Sequence, residues 1–250
     1  MWKDLRRSLA KRPLARSIYF RTWILRYAIE SIRRRPSYAQ ANEDMLAEEL
    51  VGDVKWFVDI GAHDGISGSN TFRFALDGAQ GLCLEPLRET FTKLSWLYLL
   101  NDRVTTVRLG VSDEDREADI VAADVLAYIP ETEDREHSRF YDLPPCDLER
   151  ISLRRFSVIA EMYDLPHSID LLSIDVEGHE LNVLRSIPFD RYTFKCIVVE
   201  THLRASDSGQ PDWSHRDLEH MESLLRAHGY SRAATTYVNT IYVHRTTLNS

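Results

Sequence analysis

Four short apolar segments of this chain each end in a carboxylate, and that repeated ending is its most chemically suggestive pattern. Phe57-Val58-Asp59-Ile60 runs into the turn Gly61-Ala62-His63-Asp64-Gly65. Gly81-Leu82-Cys83-Leu84 meets Glu85-Pro86, and Ser168-Ile169-Asp170-Leu171-Leu172-Ser173-Ile174 meets Asp175-Val176-Glu177-Gly178-His179-Glu180. The fourth, Cys196-Ile197-Val198-Val199, meets Glu200-Thr201-His202. None has a helical period, and each suits a strand buried on both faces. Ligands of open α/β sheets bind beyond the carboxyl ends of the strands, so Asp59, Glu85, Asp175, Glu177 and Glu200 are expected along one edge.

The first turn is not a phosphate-binding fingerprint. Dinucleotide sites space three glycines as G-x-G-x-x-G and seat a pyrophosphate on a helix N-terminus. Here Gly61 and Gly65 accompany an acid, which suits a cationic or amino-bearing nucleotide-type ligand, with the glycines letting backbone approach it. Glu85 is placed to accept hydrogen bonds from ribose hydroxyls, and Pro86 ends its strand by removing a donor. Asp175 and Glu177 are expected nearest the reacting centre. The alternatives are that Asp175 only positions the ligand and that Glu177 stabilises the next helix through its N-terminal dipole. His63 reads as an exposed turn residue.

The elements that must hold these residues alternate as a doubly wound sheet requires. Helical patterns are predicted over 69–75, 87–100, 153–162 and 213–228, the last stopped by Gly229, and a helix capped by Asn42 or Asp44 over 42–50. Further strands are predicted over 104–112 and 118–123, with a closing antiparallel pair over 230–236 and 237–243. The charged, proline-containing stretch 129–145 reads as a loop that could lie over the site. The fold class is therefore α/β, a mostly parallel sheet of about seven strands with an antiparallel C-terminal pair. At 250 residues the chain can bury a full core without disulfides. Cys83, Cys146 and Cys196 lack metal-ligand spacing and read as reduced packing residues, pointing to a cytoplasmic setting.

Charge divides the chain at about residue 38. Residues 1–38 hold eleven Lys or Arg against Asp4 and Glu30, a formal +9, which leaves −17 for residues 39–250 given the whole-chain −8. Within the basic segment Phe20, Trp23, Ile24, Tyr27, Ala28 and Ile32 recur at helical spacing among arginines, the pattern of a basic amphipathic helix. Arg21 and Arg26 break the apolar run well short of the ~20 residues of a membrane span. It also lacks the apolar core and cleavage site of a signal peptide. Two placements stay open: the helix packs its apolar stripe on the acidic domain, or residues 16–35 lie peripherally on an anionic membrane. The acidic body argues against a nucleic-acid protein.

In residue kind and order, the segments at 57–65 with Ser69-Asn70-Thr71, at 81–86 with Phe91 and Leu94, at 169–180 with Leu184, and at 197–200 resemble the FkbM family of S-adenosylmethionine-dependent methyltransferases. The resemblance covers about residues 50–205 and is most specific in Asp175-Val176-Glu177-Gly178-His179-Glu180. It implies a Rossmann-like class I methyltransferase domain that moves a methyl group to a hydroxyl of a small molecule, sugar or glycan. The cofactor would lie against Asp59, Gly61, Ala62, Gly65, Asn70, Glu85, Pro86 and Asp175. An alcohol nucleophile needs a general base or a metal that acidifies it. Asp175, Glu177 and His202 are the expected catalytic residues, with His179 a further candidate base. Asp175, Glu200 and His202 are the expected ligands of any divalent metal, and Glu177 also offers hard oxygen. The acidic stretch 131–142 departs from the family pattern and leaves the acceptor open. Two other classes compete: a non-catalytic scaffold tethered by its basic helix, and a nicotinamide oxidoreductase, which the missing third glycine disfavours.

Overall fold

A computed structural model describes residues 13–121, 148–201 and 214–247. Its centre is a seven-stranded sheet built from β1 (Trp56–Ile60), β2 (Gln80–Leu84), β3 (Val104–Val107), β7 (Ser168–Ile174), β8 (Thr193–Glu200), β9 (Tyr230–Thr235) and β10 (Asn239–His244). The strand order is β3-β2-β1-β7-β8-β10-β9. β1 pairs in parallel with β2 on one side and β7 on the other, and only β10 runs against the sheet direction, between β8 and β9. Strand order therefore reverses between β1 and β7. That reversal opens a crevice at the carboxyl ends of β1, β2 and β7, where the acid-tipped segments were expected.

Alternation along the strands divides the core. Val58 and Ile60 of β1 pack into one cluster with Leu82, Leu84, Leu172, Ile174, Ile197 and Val199. Phe57 joins the opposite cluster with Cys83, Leu171, Cys196 and Val198. Asp59 shares a parity with Phe57 and so projects toward that second side. Cys83 and Cys196 are buried free thiols, whereas Cys146 lies outside the described residues.

The helices are α1 (Pro13–Arg33), α2 (Glu43–Val51), α3 (Phe72–Leu76), α4 (Arg88–Leu97), α5 (Phe156–Met162), α6 (Glu180–Arg185) and α7 (Ser214–Ala227). The basic helix α1 packs on the domain. Trp23 is buried in the same cluster as Phe57, and the Tyr27 ring meets Phe72 and Tyr98 edge-on. The Tyr27 hydroxyl donates to Ala75 O at 3.0 Å and accepts from Asn101 Nδ2 at 2.8 Å. Asn42 precedes α2 in the left-handed conformation and makes no side-chain cap. The buried Glu43 carboxylate instead takes the Ala41 N–H, the Thr236 hydroxyl and the Asn239 amide, tying α2 to the β9–β10 turn.

Two further departures from expectation bear on the site. The single strand predicted over 104–112 is two, β3 and β4 (Gly110–Val111), and the helix predicted from residue 153 begins only at Phe156. Before it runs β6 (Leu148–Arg154), which pairs in parallel with β4 and antiparallel with β5 (Arg116–Val121). Ile151 and Leu153 alternate inward in β6, a period-2 signal that its charged neighbours obscured. This three-stranded sheet buries Leu87, Ala118, Ile120, Ile151 and Leu153 against one another beside the crevice.

Asp170 shows that an acid within a strand can be structural. One of its oxygens takes the Lys55 and Trp56 N–H groups at 2.8 and 2.9 Å, and the other meets Lys195 Nζ at 2.7 Å. Asp170→Ala should lower unfolding free energy in urea by about 2–4 kcal/mol by stranding two N–H groups at the start of β1. An unchanged midpoint would show that water replaces the carboxylate there.

Candidate active site

The turn after β1 is shaped by how closely two strand ends approach. The Asp175 N–H donates to Ile60 O at 3.0 Å, and a Cβ on Gly61 would stand 1.7 Å from the Asp175 carbonyl oxygen. Gly61 also has φ +85°, and its N–H and that of Ala62 both donate to Leu84 O. This glycine therefore joins β1, β2 and β7 at the switch point while lining the crevice. Gly65 faces the helix layer instead. Its missing Cβ makes room for Leu94 and Leu97 of α4, and it is not among the residues lining the crevice. The two glycines were expected to admit a ligand; Gly61 lines the crevice as well as packing on Asp175, whereas Gly65 packs against α4.

The crevice holds about 1120 Å³ of atom-free space, open mouth included. Asp59, Gly61, Ala62, Asn70, Glu85, Pro86, Asp175 and Glu177, all expected from sequence, line it. Leu109, Val111, Ile120, Ile151 and Leu153 form an apolar wall that sequence patterning did not assign to the site. His63 also lines the crevice at φ +49° and serves through its backbone, its N–H donating to Glu85 Oε2 at 3.0 Å.

The carboxylates at the first two strand ends are buried and braced. Asp59 accepts from the Thr71 hydroxyl at 2.6 Å. Burial pushes its pKa up to about 6, against the lowering effect of Thr71 and Ser173. Glu85 accepts from Leu87 N–H at 2.9 Å and the Thr90 hydroxyl at 2.8 Å, besides His63, and burial still pushes it up to about 7. Between them, the Asn70 amide nitrogen donates to Ser173 Oγ at 3.2 Å. Its buried Oδ1 has no partner among the described residues. An acceptor left this way inside a polar crevice costs free energy until a donor arrives.

A second acidic group lies past β7 and β8. Oxygens of Asp175, Glu177 and Glu200 all fall within 4.8 Å of one another, a grouping that hard divalent cations accept. Burial, then the charges of Asp175 and Glu180, pushes Glu177 up to about 9. Burial and the charges of Asp175 and Glu177 likewise raise Glu200 well above the usual carboxylate range. Glu180 braces the loop: its Oε1 takes the N–H groups of Val176 and Gly178, holding Glu177 at φ +54°. His202 lies outside the described residues, so Glu177 stands with the other two expected metal ligands.

His179 lines the same crevice and is part of a relay that sequence spacing could not reveal. Its Nε2 lies 2.9 Å from Ser112 Oγ, and that hydroxyl donates to Asp113 Oδ1 at 3.1 Å. Asn182 Nδ2 holds the same Asp113 oxygen at 3.1 Å. Because Ser112 has one proton and gives it to Asp113, His179 Nε2 must be the donor in its own bond. Nδ1 is then an unprotonated acceptor, and it has no partner among the described residues. Burial pushes this imidazole down to about 4, so it is neutral at physiological pH.

The family model described as "Methyltransferase FkbM domain" matches residues 59–232. The chain belongs to the FkbM methyltransferase family. Its matched region begins at Asp59 and takes in every crevice-lining residue except Gln40. Among solved structures, the methyltransferase FkbM from Methylobacillus flagellatus KT is 17% identical with a TM-score of 0.44, over 77% of this chain and 44% of that one. This FkbM chain thus spans less than half the length of the Methylobacillus protein. Precorrin-6y C5,15-methyltransferase from Geobacter metallireducens GS-15 is 12% identical with a TM-score of 0.43, over 84% of this chain and 91% of that one. A methyltransferase from Geobacter sulfurreducens is 13% identical at a TM-score of 0.45, over 89% and 87%. A comparison with curated proteins gave no match.

The raised carboxyls fix the sign of the pH dependence of stability. Asp59, Glu85, Glu177 and Glu180 hold protons more tightly folded than unfolded, with folded values of about 6, 7, 9 and 7. Their contribution is therefore fully present below the unfolded values and lost as pH rises through the folded ones. His179, folded near 4, acts in the opposite direction below its usual value. The thermal midpoint of the ligand-free chain should rise as pH is lowered from about 9 to about 6.5. A midpoint that is flat or falls over that range would mean these acids are solvated in solution.

Proposed function

We propose that this FkbM-family chain transfers the methyl group of S-adenosylmethionine to a hydroxyl of a small molecule, sugar or glycan, in a cytoplasmic setting. The observation that carries the reading is the convergence of Glu85, Asp59 and the unpaired Asn70 Oδ1 on one crevice at the switch point. Glu85 at the tip of β2 suits the ribose hydroxyls. The ammonium and sulfonium groups favour the ionised forms of acids that burial alone would leave partly protonated. Asn70 Oδ1 would be one of the groups to hold that ammonium.

The chemical step requires the acceptor oxygen in line with the sulfonium methyl carbon. As the C–O bond forms and the S–CH₃ bond breaks, the electron pair of the broken bond goes to sulfur, giving S-adenosylhomocysteine, and the hydroxyl proton must leave. His179 Nδ1 receives it. Ser112 and Asp113 fix the receiving tautomer, and Asp113 offsets the imidazolium charge through Ser112. Glu177, near 9, is protonated at neutral pH and serves better to orient the acceptor than to take its proton. A metal-assisted form of the same reaction is favoured by the grouping of Asp175, Glu177 and Glu200, where a divalent cation would acidify the hydroxyl. Loss of turnover in EDTA with recovery in Mg²⁺ would select that form. The apolar wall of Ile120, Ile151 and Leu153 suits the adenine or a nonpolar part of the acceptor.

Glu85→Ala or Asp59→Ala should each weaken S-adenosylhomocysteine binding, measured by calorimetry, by about 1.5–3 kcal/mol. For the intact chain, the dissociation constant should rise roughly tenfold from about pH 8 to about pH 5.5, as both acids take up protons. Binding of NAD in preference, or of neither compound, would overturn the reading. His179→Ala should lower kcat by about 10²- to 10⁴-fold with the S-adenosylhomocysteine affinity kept. Equal loss of both would demote His179 to a structural residue.

A further inference from the structure

Helix α1 is apolar on two opposite sides. Its inner side places Trp23, Tyr27 and the buried Glu30 against the domain. On the other side Leu25, Ile29 and Ile32 are 60, 45 and 86% exposed. These three are spaced i, i+4, i+7, so at 3.6 residues per turn they form one stripe turned away from Trp23 and Tyr27. Leu99 and Leu100, also exposed, follow α4 beside Asn101, whose amide reaches the Tyr27 hydroxyl. Two further exposed leucines therefore lie just past the end of the helix that α1 packs against.

Cations border the stripe. Arg34 pairs with Asp77 of the domain and Arg35 with Glu30 of α1 itself. Arg26 and Arg33 are exposed and in no ion pair among the described residues, with Arg26 placed over the Trp23 ring at 4.8 Å. The sequence adds Lys3, Arg6, Arg7, Lys11, Arg12, Arg16 and Arg21 ahead of the stripe. Its occupant must accept aliphatic side chains and carry negative charge.

We propose that the outer side of α1 docks on an anionic lipid bilayer, the helix lying in the plane of the interface. An anionic bilayer offers acyl chains to Leu25, Ile29 and Ile32 and headgroups to the arginines. No helix among the described residues is long and apolar enough to cross a membrane, which suits a helix lying flat. A second copy of the chain is a poorer occupant. Stripe against stripe would bring together two segments of formal charge +9. Elsewhere the large exposed apolar residues Met45, Met162, Leu148 and Tyr237 lie on α2, α5, β6 and the β9–β10 turn, with no matching patch among the described residues. Because α1 holds the domain through its inner side, docking leaves the fold intact.

The test is co-sedimentation of the full chain with phosphatidylcholine vesicles, with and without phosphatidylglycerol. The intact chain should partition roughly tenfold more onto the anionic vesicles. The Leu25→Asp, Ile29→Asp, Ile32→Asp variant should lose that gain at an unchanged thermal midpoint. Should the triple variant unfold, Ile32→Asp at the most exposed position carries the test. No sedimentation of the intact chain with anionic vesicles would overturn the proposal, as would a stripe variant that binds like the intact chain. A concentration-dependent dimer in vesicle-free solution that the same substitutions dissolve would assign the surface to a second copy.

Discussion

The site depends on one close approach, that of the Gly61 backbone to the Asp175 carbonyl. A single hydrogen bond, Asp175 N–H to Ile60 O, carries the β1–β7 pairing past the last strand residues. The missing side chain at Gly61 lets the two ends lie side by side. A methyl group there would overlap a carbonyl oxygen fixed by a central strand on each side, so no small rotation relieves it. Asp59, Glu85 and Asp175 reach one crevice because the three strands that carry them cannot separate at this point. The crevice edge is thus a product of backbone packing before any side chain contributes.

How much of this was legible follows from the kind of signal each element carries. Strands buried on both faces write themselves as apolar runs, and their acid-tipped ends identify the crevice edge, which is why Asp59, Glu85 and Asp175 were recognisable. The sheet of β4, β5 and β6 was harder because its strands are short or charged. In β6 Ile151 and Leu153 turn inward, Glu149 on the same face pairs with Arg108, and Arg150 and Arg154 make ion pairs on the other face. A charged strand sealed by salt bridges reads like a loop followed by a helix. The Asp113–Ser112–His179 relay joins residues 67 positions apart and has no sequence signature. Of the two glycines Gly61 lines the crevice and Gly65 faces α4, a division that sequence does not show because it tells where a backbone is free of Cβ without telling what fills the space.

The relay and the acid group share a corner yet are tuned in opposite directions by the same burial. Desolvation disfavours charge of either sign, so it raises Glu177 to about 9 and lowers His179 to about 4. Both side chains are therefore neutral around pH 7. Asp175, whose charge helps to raise both Glu177 and Glu200, lies in the same corner, so the two neutral side chains sit beside a carboxylate. At the ends of β1 and β2, Asp59 and Glu85 have values near neutrality, and their brackets of N–H and O–H donors already suit the ionised form.

Burying these acids has an energetic cost. Each buried acid that must ionise at neutral pH, and the orphaned Asn70 oxygen, removes stability that the core has to supply. A ligand that brings positive charge and N–H donors to the same atoms recovers that loss on binding, so affinity and stability become linked at one set of residues. Acids thus play two separable roles in this fold. Asp170 and Glu43 bind donors already present in the chain and stabilise it without a ligand. Asp59 and Glu85 are braced by donors but remain raised, the condition expected of carboxylates whose full complement of partners includes a group the chain does not provide.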